Sequence, residues 1–274
     1  MKLGVTTALA LGALSVACQR GADVSGSGAS RAYVLTLHPY FRDLRTVHAV
    51  RGTDTLTLLV DTGAGATLIS PELAASIGCR PYGRQVGHRM SGEAVEFQAC
   101  DSIGFVIDGW AVRHAPVAVF DVNALLPGEL PRLDGVLSLE SFRSQVITVD
   151  WPRSRIEVQG AAGADSALAK HGVPLRVATG DNGGTVTALI PVEGRRGPLW
   201  FLFDSGNIRG TLVDPHVLRD SLLTMGADSM ADPVIGGRAS VRMSMTVTPI
   251  NVDGVFGTAY MQRGPVTIDL RRSP

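Results

Sequence analysis

The chain contains the stretch Leu56-Thr57-Leu58-Leu59-Val60-Asp61-Thr62-Gly63 and, later, the similar stretch Leu199-Trp200-Phe201-Leu202-Phe203-Asp204-Ser205-Gly206. In each, a short apolar run is followed by an aspartate, a hydroxyl residue and a glycine. Short apolar runs bounded by turn residues are typical of buried strands. A single aspartate after such a strand indicates only a turn, but two in a duplicated setting predict a site built from paired carboxylates, Asp61 and Asp204.

The duplication extends downstream of both triplets. Ser70-Pro71-Glu72, nine residues after Asp61, supplies the N-cap residue and first-turn proline that begin a helix. Asp214-Pro215-His216, ten residues after Asp204, does the same. The second half therefore contains one extra residue within this interval.

A second pair of segments repeats with identical spacing. Leu133-Asp134-Gly135-Val136-Leu137 and Val252-Asp253-Gly254-Val255-Phe256 each place Asp-Gly between apolar residues. Each leads to a strand-like ending whose last aspartate lies 16 residues after the first, at 147–150 and at 266–269. We interpret Asp134 and Asp253 as structural turn acids rather than catalysts.

Turn residues also precede both aspartate-bearing strands, at 51–54 and at 194–197, and predict hairpins. The sequence therefore predicts an all-β fold with a few short helices, in which two repeats of about 120 residues form two lobes around an approximate two-fold axis. We place the N-terminal lobe at 32–159, an interlobe linker at 160–170 and the C-terminal lobe at 171–274. Equivalent residues of two such repeats meet at the axis.

These motifs resemble those of the aspartic peptidases of the pepsin and retropepsin superfamily, specifically the bacterial retropepsin-like group with both halves in one polypeptide. The resemblance spans about residues 32 to 272, and its specific elements are Asp-Thr-Gly-Ala at 61–64, Asp-Ser-Gly-Asn at 204–207 and the later apolar-Asp-Gly-apolar segments. It implies the bilobed, pseudo-two-fold aspartic-protease (retropepsin-like) fold. It also implies an aspartic-type endopeptidase with Asp61 and Asp204 as the catalytic residues.

The chemistry favours the same two residues. Peptide hydrolysis by water needs a base to take the water proton and an acid to protonate the carbonyl oxygen and the leaving amine. Two carboxylates that share one proton supply both, because like charges about 3 Å apart cannot both ionise. Such a site needs a peptide or protein substrate and no cofactor, and the sequence shows no zinc-type spacing, so we predict no metal.

Four neighbours are predicted to support the pair. Gly63 and Gly206 let each loop approach the opposite one, where a larger side chain would push the carboxylates apart. By the resemblance, the hydroxyls of Thr62 and Ser205 hydrogen-bond across the axis and fix the aspartate rotamers.

Two positions depart from the family pattern. Ser138 stands where glycine is usual, so we expect different packing behind the first loop. Asn207-Ile208-Arg209 follows the second triplet, and we expect a cationic Arg209 near the pair to lower the carboxylate pKa or to narrow the cleft.

The family closes its cleft with β-hairpin flaps. The candidates are 86–97, with its turn at Ser91-Gly92, and 234–243, with its turn at Gly236-Gly237. Two glycine-containing hairpins resemble the paired flaps of retropepsins. The alternative is that both are ordinary surface hairpins.

The first 18 residues form a separate segment, with Lys2 followed by an apolar run that ends in small residues. This pattern predicts a signal peptide at 1–18, of lipoprotein type because it ends at Cys18, which would be lipidated. Residues 19–31 would then be a flexible tether in the periplasm or cell envelope. Ordinary signal cleavage and release is the alternative.

Export would leave Cys79 and Cys100 in an oxidising compartment as an even pair. A disulfide between them is the prediction, and two buried thiols are the alternative.

Composition is consistent with a β-rich globular protein, since 45% of residues are hydrophobic and 18% are charged. The formal net charge of zero gives no indication of a nucleic-acid partner, and we expect membrane contact only through the N-terminal lipid. Two motifs in one chain predict a monomer. Besides a peptidase, the sequence leaves open a non-catalytic peptide-binding envelope protein and a glycosidase-like use of the two carboxylates.

Overall fold

The computed structural model describes residues 32–160, 163–165, 172–179, 184–219, 230–240 and 242–271. The predicted signal peptide, the tether with Cys18 and most of the predicted linker lie outside these residues. Within them no helix is long and apolar enough to cross a membrane.

Strands are the main regular structure of the described chain, as predicted. In chain order they are β1 (Tyr33–Thr36), β2 (His38–Pro39), β3 (Arg45–Arg51), β4 (Asp54–Val60), β5 (Leu68–Ile69), β6 (Tyr82–His88), β7 (Ala94–Cys100), β8 (Ile103–Ile107), β9 (Trp110–His114), β10 (Val117–Val119), β11 (Gly135–Leu137), β12 (Val146–Asp150), β13 (Arg155–Val158), β14 (Arg176–Ala178), β15 (Thr187–Gly194), β16 (Gly197–Phe203), β17 (Thr211–Val213), β18 (Met230–Ala231), β19 (Val234–Ile235), β20 (Arg238–Ala239), β21 (Met243–Val247), β22 (Gly254–Phe256) and β23 (Val266–Asp269).

Helical segments are short. They include the α-helices Pro71–Ser76 and Thr258–Met261 and the 3₁₀-helices Val122–Leu125, Leu139–Phe142 and Pro215–Arg219. The predicted N-cap of the first helix is confirmed, because the Ser70 hydroxyl accepts a hydrogen bond from the Leu73 N–H at 3.0 Å. At the second predicted start a 3₁₀-helix forms instead, with Asp214 accepting from the His216 N–H at 2.9 Å.

The two lobes repeat one sheet topology. In the N-terminal lobe the order is β6-β7-β10-β5-β11-β4-β3-β8-β9, with β2 paired to β3. In the C-terminal lobe it is β14-β15-β16-β22-β17-β21-β18, and β19 and β20 form a separate hairpin. The central succession β7-β10-β5-β11-β4-β3 corresponds strand for strand to β18-β21-β17-β22-β16-β15. The predicted duplication is therefore present in the pairing as well as in the sequence.

A third sheet joins the lobes, in the order β1-β13-β12-β23. In this sheet β12 from the first repeat pairs with the edge strand β23 from the second, and the two run antiparallel with Thr148 opposite Thr267. These two threonines occupy the same position in their repeats, and their hydroxyls are 2.9 Å apart. The two-fold axis predicted from the sequence passes through this pair.

One continuous apolar core spans both lobes. It includes fully buried side chains of the N-terminal lobe, such as Phe142 and Trp151, and of the C-terminal lobe, such as Phe201 and Phe203. The strands that end at the two aspartates are buried on the core side, so the residues that follow them emerge at the seam between the lobes.

Candidate active site

Asp61 and Asp204 are the first residues after β4 and β16 and have equivalent backbone settings. In each lobe the aspartate-bearing strand pairs in parallel with a short strand, β11 or β22. The Asp61 N–H donates to the Leu137 carbonyl and the Asp204 N–H to the Phe256 carbonyl, both at 3.0 Å. The two loops therefore leave their sheets in the same direction relative to the axis.

The carboxylates of Asp134 and Asp253 hydrogen-bond to the backbone of the two aspartate-bearing strands. A carboxylate oxygen of Asp134 accepts the Thr57 N–H at 2.7 Å, and one of Asp253 accepts the Trp200 N–H at 2.7 Å. Each carboxylate thus ties an Asp-Gly turn to the neighbouring strand, which is the structural role predicted for it.

The carboxyl groups of Asp61 and Asp204 are hydrogen-bonded to each other across the seam. Each also accepts backbone N–H groups of its own loop, from Gly63 and Ala64 at 2.9 and 3.1 Å and from Gly206 at 2.9 Å. Burial raises the pKa of both groups, and the charge of Asp61 raises the pKa of Asp204 further. Like charges this close cannot both ionise readily, so the arrangement is one in which the two carboxyl groups can share a single proton.

The two glycines permit this approach. A Cβ built on Gly63 would overlap the Asp204 carboxyl group, and a Cβ on Gly206 would overlap that of Asp61. Each glycine therefore faces the opposite aspartate, and any larger residue would separate the carboxyl groups.

Thr62 and Ser205 link the loops by four reciprocal hydrogen bonds. The Thr62 hydroxyl donates to the Phe203 carbonyl at 2.8 Å and accepts the Ser205 N–H at 3.0 Å. The Ser205 hydroxyl donates to the Val60 carbonyl at 2.9 Å and accepts the Thr62 N–H at 3.0 Å. Both residues are buried. The structure thus brings together all six residues predicted for the pair and its support.

A buried polar network lies behind the first loop, where Ser138 replaces the usual glycine. The Thr67 hydroxyl lies 3.2 Å from that of Ser138 and 2.9 Å from that of Ser141. The Ser141 hydroxyl lies 3.1 Å from Nε2 of His114, whose Nδ1 is 2.8 Å from a Glu140 carboxylate oxygen. His114 is 2% exposed. This network anchors the far end of the loop that begins at Asp61.

His114 and Glu140 were not among the residues predicted from the sequence. Ser138 was a local sign of different packing, but nothing near His114 in the sequence indicates a partner 26 residues away. Strand β9 ends at His114, and it is the arrangement of the strands in the sheet that brings this residue to Glu140.

Behind the loop that begins at Asp204, close packing against backbone carbonyl groups takes the place of the polar network of the first lobe. Asn207 is 3% exposed, and its side chain donates to the Gly210 carbonyl at 2.8 Å and accepts the Arg209 N–H at 2.9 Å. A Cβ on Gly257 would overlap the carbonyl oxygens of Asn207 and Gly210. The Asn207 turn directs Arg209 outward, where it is exposed. Arg209 was expected to lower the carboxylate pKa or to narrow the cleft; the pKa of both aspartates is instead raised, with burial as the largest cause.

The first flap candidate is the β6–β7 hairpin. Its turn is closed by the Arg89 N–H donating to the Glu93 carbonyl at 2.9 Å, and Gly92 adopts a φ of 85° there. Ser91 and Gly92 thus form the tip, as predicted. The adjacent residue Met90 contacts the C-terminal lobe, so the hairpin reaches across the seam.

The second flap candidate does not reach the pair. Gly236 and Gly237 do form the β19–β20 turn, but the Gly237 N–H donates to the Glu193 carboxylate at 2.7 Å. Glu193 pairs with Pro198 near the start of β16, at the opposite end from Asp204. Over six residues a strand extends about 20 Å. The expectation of paired flaps at these two turns is therefore corrected.

Topology explains this error. Strand β18 corresponds to β7, so the hairpin that follows it, β19–β20, corresponds to β8–β9 and not to β6–β7. In the second lobe the flap position falls before β18, in an interval that includes residues 220–229, which lie outside the described residues.

Cys79 and Cys100 form a disulfide, with their Cα atoms 6.0 Å apart. It joins the segment after the first α-helix to the last residue of β7. The base of the β6–β7 hairpin is thereby tethered to the lobe.

Known proteins resemble this chain in one family model and in fold. A family model described as aspartyl protease matches residues 48–140, about a third of the chain, including the first triplet. A search of curated proteins found no match.

Among solved structures, similar folds include basic 7S globulin from soybean, conglutin gamma, a basic 7S globulin from lupine seeds, and edgp. The soybean protein has a TM-score of 0.55 at 10% identity, over 89% of this chain and 94% of that one. For conglutin gamma the values are 0.52, 9%, 89% and 94%, and for edgp they are 0.52, 10%, 90% and 94%. At such identities the likeness concerns the fold alone. The chain has an all-β, aspartic-protease-like fold, and its first lobe matches the aspartyl protease family model.

Proposed function

We propose that the protein is an aspartic-type endopeptidase in which Asp61 and Asp204 activate a water molecule against a peptide bond. The observation that supports this most strongly is the hydrogen-bonded carboxyl pair, placed at the seam by two equivalent loops and held by Thr62 and Ser205. A pair that shares one proton supplies the base and the acid together.

In this mechanism the water lies between the two carboxyl groups. The ionised one removes a proton as the water oxygen attacks the peptide carbonyl carbon, and the protonated one donates its proton to the carbonyl oxygen. The resulting gem-diol collapses when its C–N bond breaks and the amine nitrogen receives the proton taken from water. As the C–N bond breaks, one gem-diol hydroxyl becomes the product carbonyl and returns its proton to the carboxylate that had protonated the carbonyl oxygen, so the pair regains its single proton. No covalent bond to the protein forms.

A glycosidase-like use of the carboxylates is disfavoured. Retaining glycosidases hold their two carboxyl groups about 5 Å apart and inverting ones hold them farther apart, whereas these two are in hydrogen-bonding contact.

A non-catalytic peptide-binding protein is the second candidate. Two solved structures with this fold are described as globulins, so the fold is not confined to proteins described as peptidases. In this candidate the same fold binds a peptide but does not hydrolyse it.

A cleavage assay distinguishes the endopeptidase from the non-catalytic peptide-binding protein. We expect the wild-type protein to cleave an unfolded protein or a peptide library between about pH 4 and 7, and Asp61→Asn and Asp204→Asn to reduce cleavage by at least about 1000-fold. Peptide binding without cleavage by the wild type would favour the second candidate. Cleavage that survives both substitutions would contradict the proposed mechanism.

We also propose that the protein acts as a monomer outside the cytoplasm, anchored through a lipid on Cys18. The disulfide between Cys79 and Cys100 supports an oxidising compartment. Fatty-acid labelling of the expressed protein is expected to be lost in Cys18→Ser. Equal labelling of the two proteins would contradict the anchor, and a monomer mass is expected in solution for the part of the chain from residue 32.

A further inference from the structure

The sheet that joins the lobes ends at an open edge. Its order is β1-β13-β12-β23, so in the described part of the chain β12 pairs on both sides whereas β23 pairs with β12 alone. The Leu270 N–H donates to the Gln145 carbonyl at 2.8 Å, which sets the alternation of the hydrogen bonds between the two strands. Because successive residues of a strand direct their backbone groups to opposite sides, the N–H and C=O of Thr267 point away from β12.

A groove of about 760 Å³ lies along this edge. One wall is β23 and another is the segment 172–177, and Ala188, Ile190 and Tyr260 also line it. None of the described residues that line the groove belongs to β12, so the groove lies on the outer side of β23. None belongs to the two aspartate loops either, so the groove is distinct from the candidate active site.

The first repeat fills the equivalent position with its own chain. Strand β12 is the counterpart of β23; beside it lies β13, and beyond β13 lies β1. The segment 172–175 is the counterpart of β1, because it precedes β14 and β15 as β1 precedes β2 and β3. The groove, with β23 and 172–175 as walls, therefore occupies the position that β13 has in the first repeat.

Strand β13 shows what this position requires of an occupant. Its Ile156 and Val158 are 0% and 1% exposed, and they alternate with the polar residues Arg155 and Glu157. The lining of the groove is likewise mainly apolar. An occupant therefore needs an extended backbone with apolar side chains at alternate positions.

A carboxylate marks one end of this position in both repeats. Asp150, the last residue of β12, contacts Arg153 at 3.0 Å and Arg155 of β13 at 3.4 Å. Asp269, the last residue of β23, contacts Arg271 at 2.9 Å and lines the groove. Asp150 shows that a carboxylate in this setting binds two arginines, so Asp269 complements a basic residue at the Arg155 position of an occupant.

We propose that the groove binds an extended segment of a polypeptide other than this chain, which adds a strand to the edge of β23. The segment has apolar side chains at alternate positions and a basic residue that contacts Asp269. Its backbone pairs with Thr267, as in other cases of strand addition to an open sheet edge. The groove is continuous with the interface between the lobes, because the opposite side of β23 forms that interface. The inference does not depend on the proposed peptidase function.

Peptide binding to the full-length protein tests the proposal. The probe is a fluorescent synthetic peptide with the sequence of residues 153–159, which includes β13, and the protein carries Asp204→Asn so that the probe is not cleaved. We expect saturable binding by fluorescence anisotropy, with a dissociation constant below about 500 μM. Ile156→Ser and Val158→Ser together in the peptide should weaken binding by at least about 10-fold. Absence of saturable binding would overturn the proposal.

A charge substitution tests the contact with Asp269. Asp269→Asn should weaken binding of the probe by about 3- to 10-fold and should affect a peptide with Arg155→Gln less. The control is Asp165→Asn, which removes the other carboxylate bonded to Arg271 and should leave the affinity unchanged. An equal loss for both peptides, or no loss for either, would overturn the assigned contact.

Amide hydrogen exchange locates the bound peptide. Saturating probe should slow exchange of the Thr267 amide by at least about 10-fold and should leave the Gly206 amide unchanged. In the first repeat Glu157 lies opposite Thr148, the counterpart of Thr267, so N-methylation of the peptide at its Glu157 position should abolish binding. N-methylation at its Ser154 position, before the strand, is the control. Protection confined to the aspartate loops would overturn the proposal.

Other occupants of the groove give different results. If another part of this chain fills it, the Thr267 amide is protected without the probe and the probe does not bind. If a second copy of this chain fills it, sedimentation shows a dimer that the probe dissociates. Either result would overturn the assignment to a different polypeptide.

Discussion

The two lobes are alike in front of the carboxyl pair and different behind it. In front, each contributes an aspartate, a hydroxyl residue and a glycine with matching hydrogen bonds. Behind, the first lobe has the Thr67, Ser138 and His114 network, whereas the second has close packing of Asn207 on Gly257. The two repeats are therefore symmetric where their loops face each other and have diverged in the packing behind those loops.

The largest expected effect concerns the symmetric front. Gly63→Ala and Gly206→Ala should each reduce kcat/KM by at least about 100-fold, because the new methyl group displaces the opposite carboxyl group. The measurement is peptide hydrolysis under saturating and limiting substrate. At Gly128 a Cβ would meet nothing within 4 Å, so Gly128→Ala is the control. Near-normal activity of either variant would break the symmetry described here.

The cross-lobe hydrogen bonds should also be equivalent. Thr62→Val and Ser205→Ala each leave a buried carbonyl and a buried N–H without a partner, which should lower the free energy of unfolding by about 2–4 kcal/mol. Urea unfolding of both variants and of the double variant measures this. Since the two hydroxyls belong to one network, the double variant should lose less than the sum. Strict additivity would show that the two sides act independently.

Substitutions behind the two loops should lower the free energy of unfolding by different amounts. Gly257→Ala forces a methyl group against two carbonyl oxygens and should cost about 2–3 kcal/mol or more. Ser138→Ala, at the corresponding position, loses one N-cap and a hydroxyl contact with Thr67 and should cost about 1 kcal/mol. Equal destabilisation in chemical unfolding would contradict the distinction between packing and network.

The smallest expected effect is a pH dependence confined to the second lobe. Asp214 and Asp253 both contact His216, at 2.6 and 2.8 Å, whereas the first lobe has the non-ionising Ser70 at the Asp214 position. The hydrogen bond to Asp214 raises the pKa of His216, and bonds from the His216 and Ile250 N–H groups lower that of Asp214 to about 2.

The contributions of His216 and Asp214 to stability change with pH in opposite directions. The contribution of His216 to stability is complete below its ordinary pKa of about 6.5 and is lost as the pH rises through its raised value. That of Asp214 is complete above about 3.9 and is lost as the pH falls toward about 2. His216→Gln should therefore flatten the decline in melting temperature above about pH 6.5, and exposed His88→Gln should not. An unchanged profile in His216→Gln would exclude this interaction.

The sequence was sufficient for features that depend on local pattern and on the repeat. The aspartate-bearing strands, the Ser70 cap and the pairing role of Asp134 follow from apolar runs, turn residues and equal spacing. The repeat also marked the segments around Thr148 and Thr267 as equivalent, and the structure adds that they pair with each other.

Features that depend on sheet order could not be predicted in this way. His114 contacts Glu140 because it lies at the end of β9, and Met90 contacts the second lobe because it lies at the tip of a long hairpin. No pattern in the neighbouring sequence indicates either contact. The Gly236-Gly237 turn was matched to a flap by appearance, but its place after β18 assigns it to another hairpin. Arg209 was expected near the pair because the Asn207 turn that directs it outward was not recognised.

The central claim is that Asp61 and Asp204 share one proton across the seam. Carboxyl ¹³C NMR of labelled aspartates, assigned with Asp61→Asn and Asp204→Asn, tests it most directly. At about pH 6, well above the ordinary aspartate pKa of about 3.9, one carboxyl of the pair should be protonated and the other ionised, and each substitution should change the titration of the remaining partner. Two carboxyl groups that titrate independently near their ordinary pKa would contradict the account.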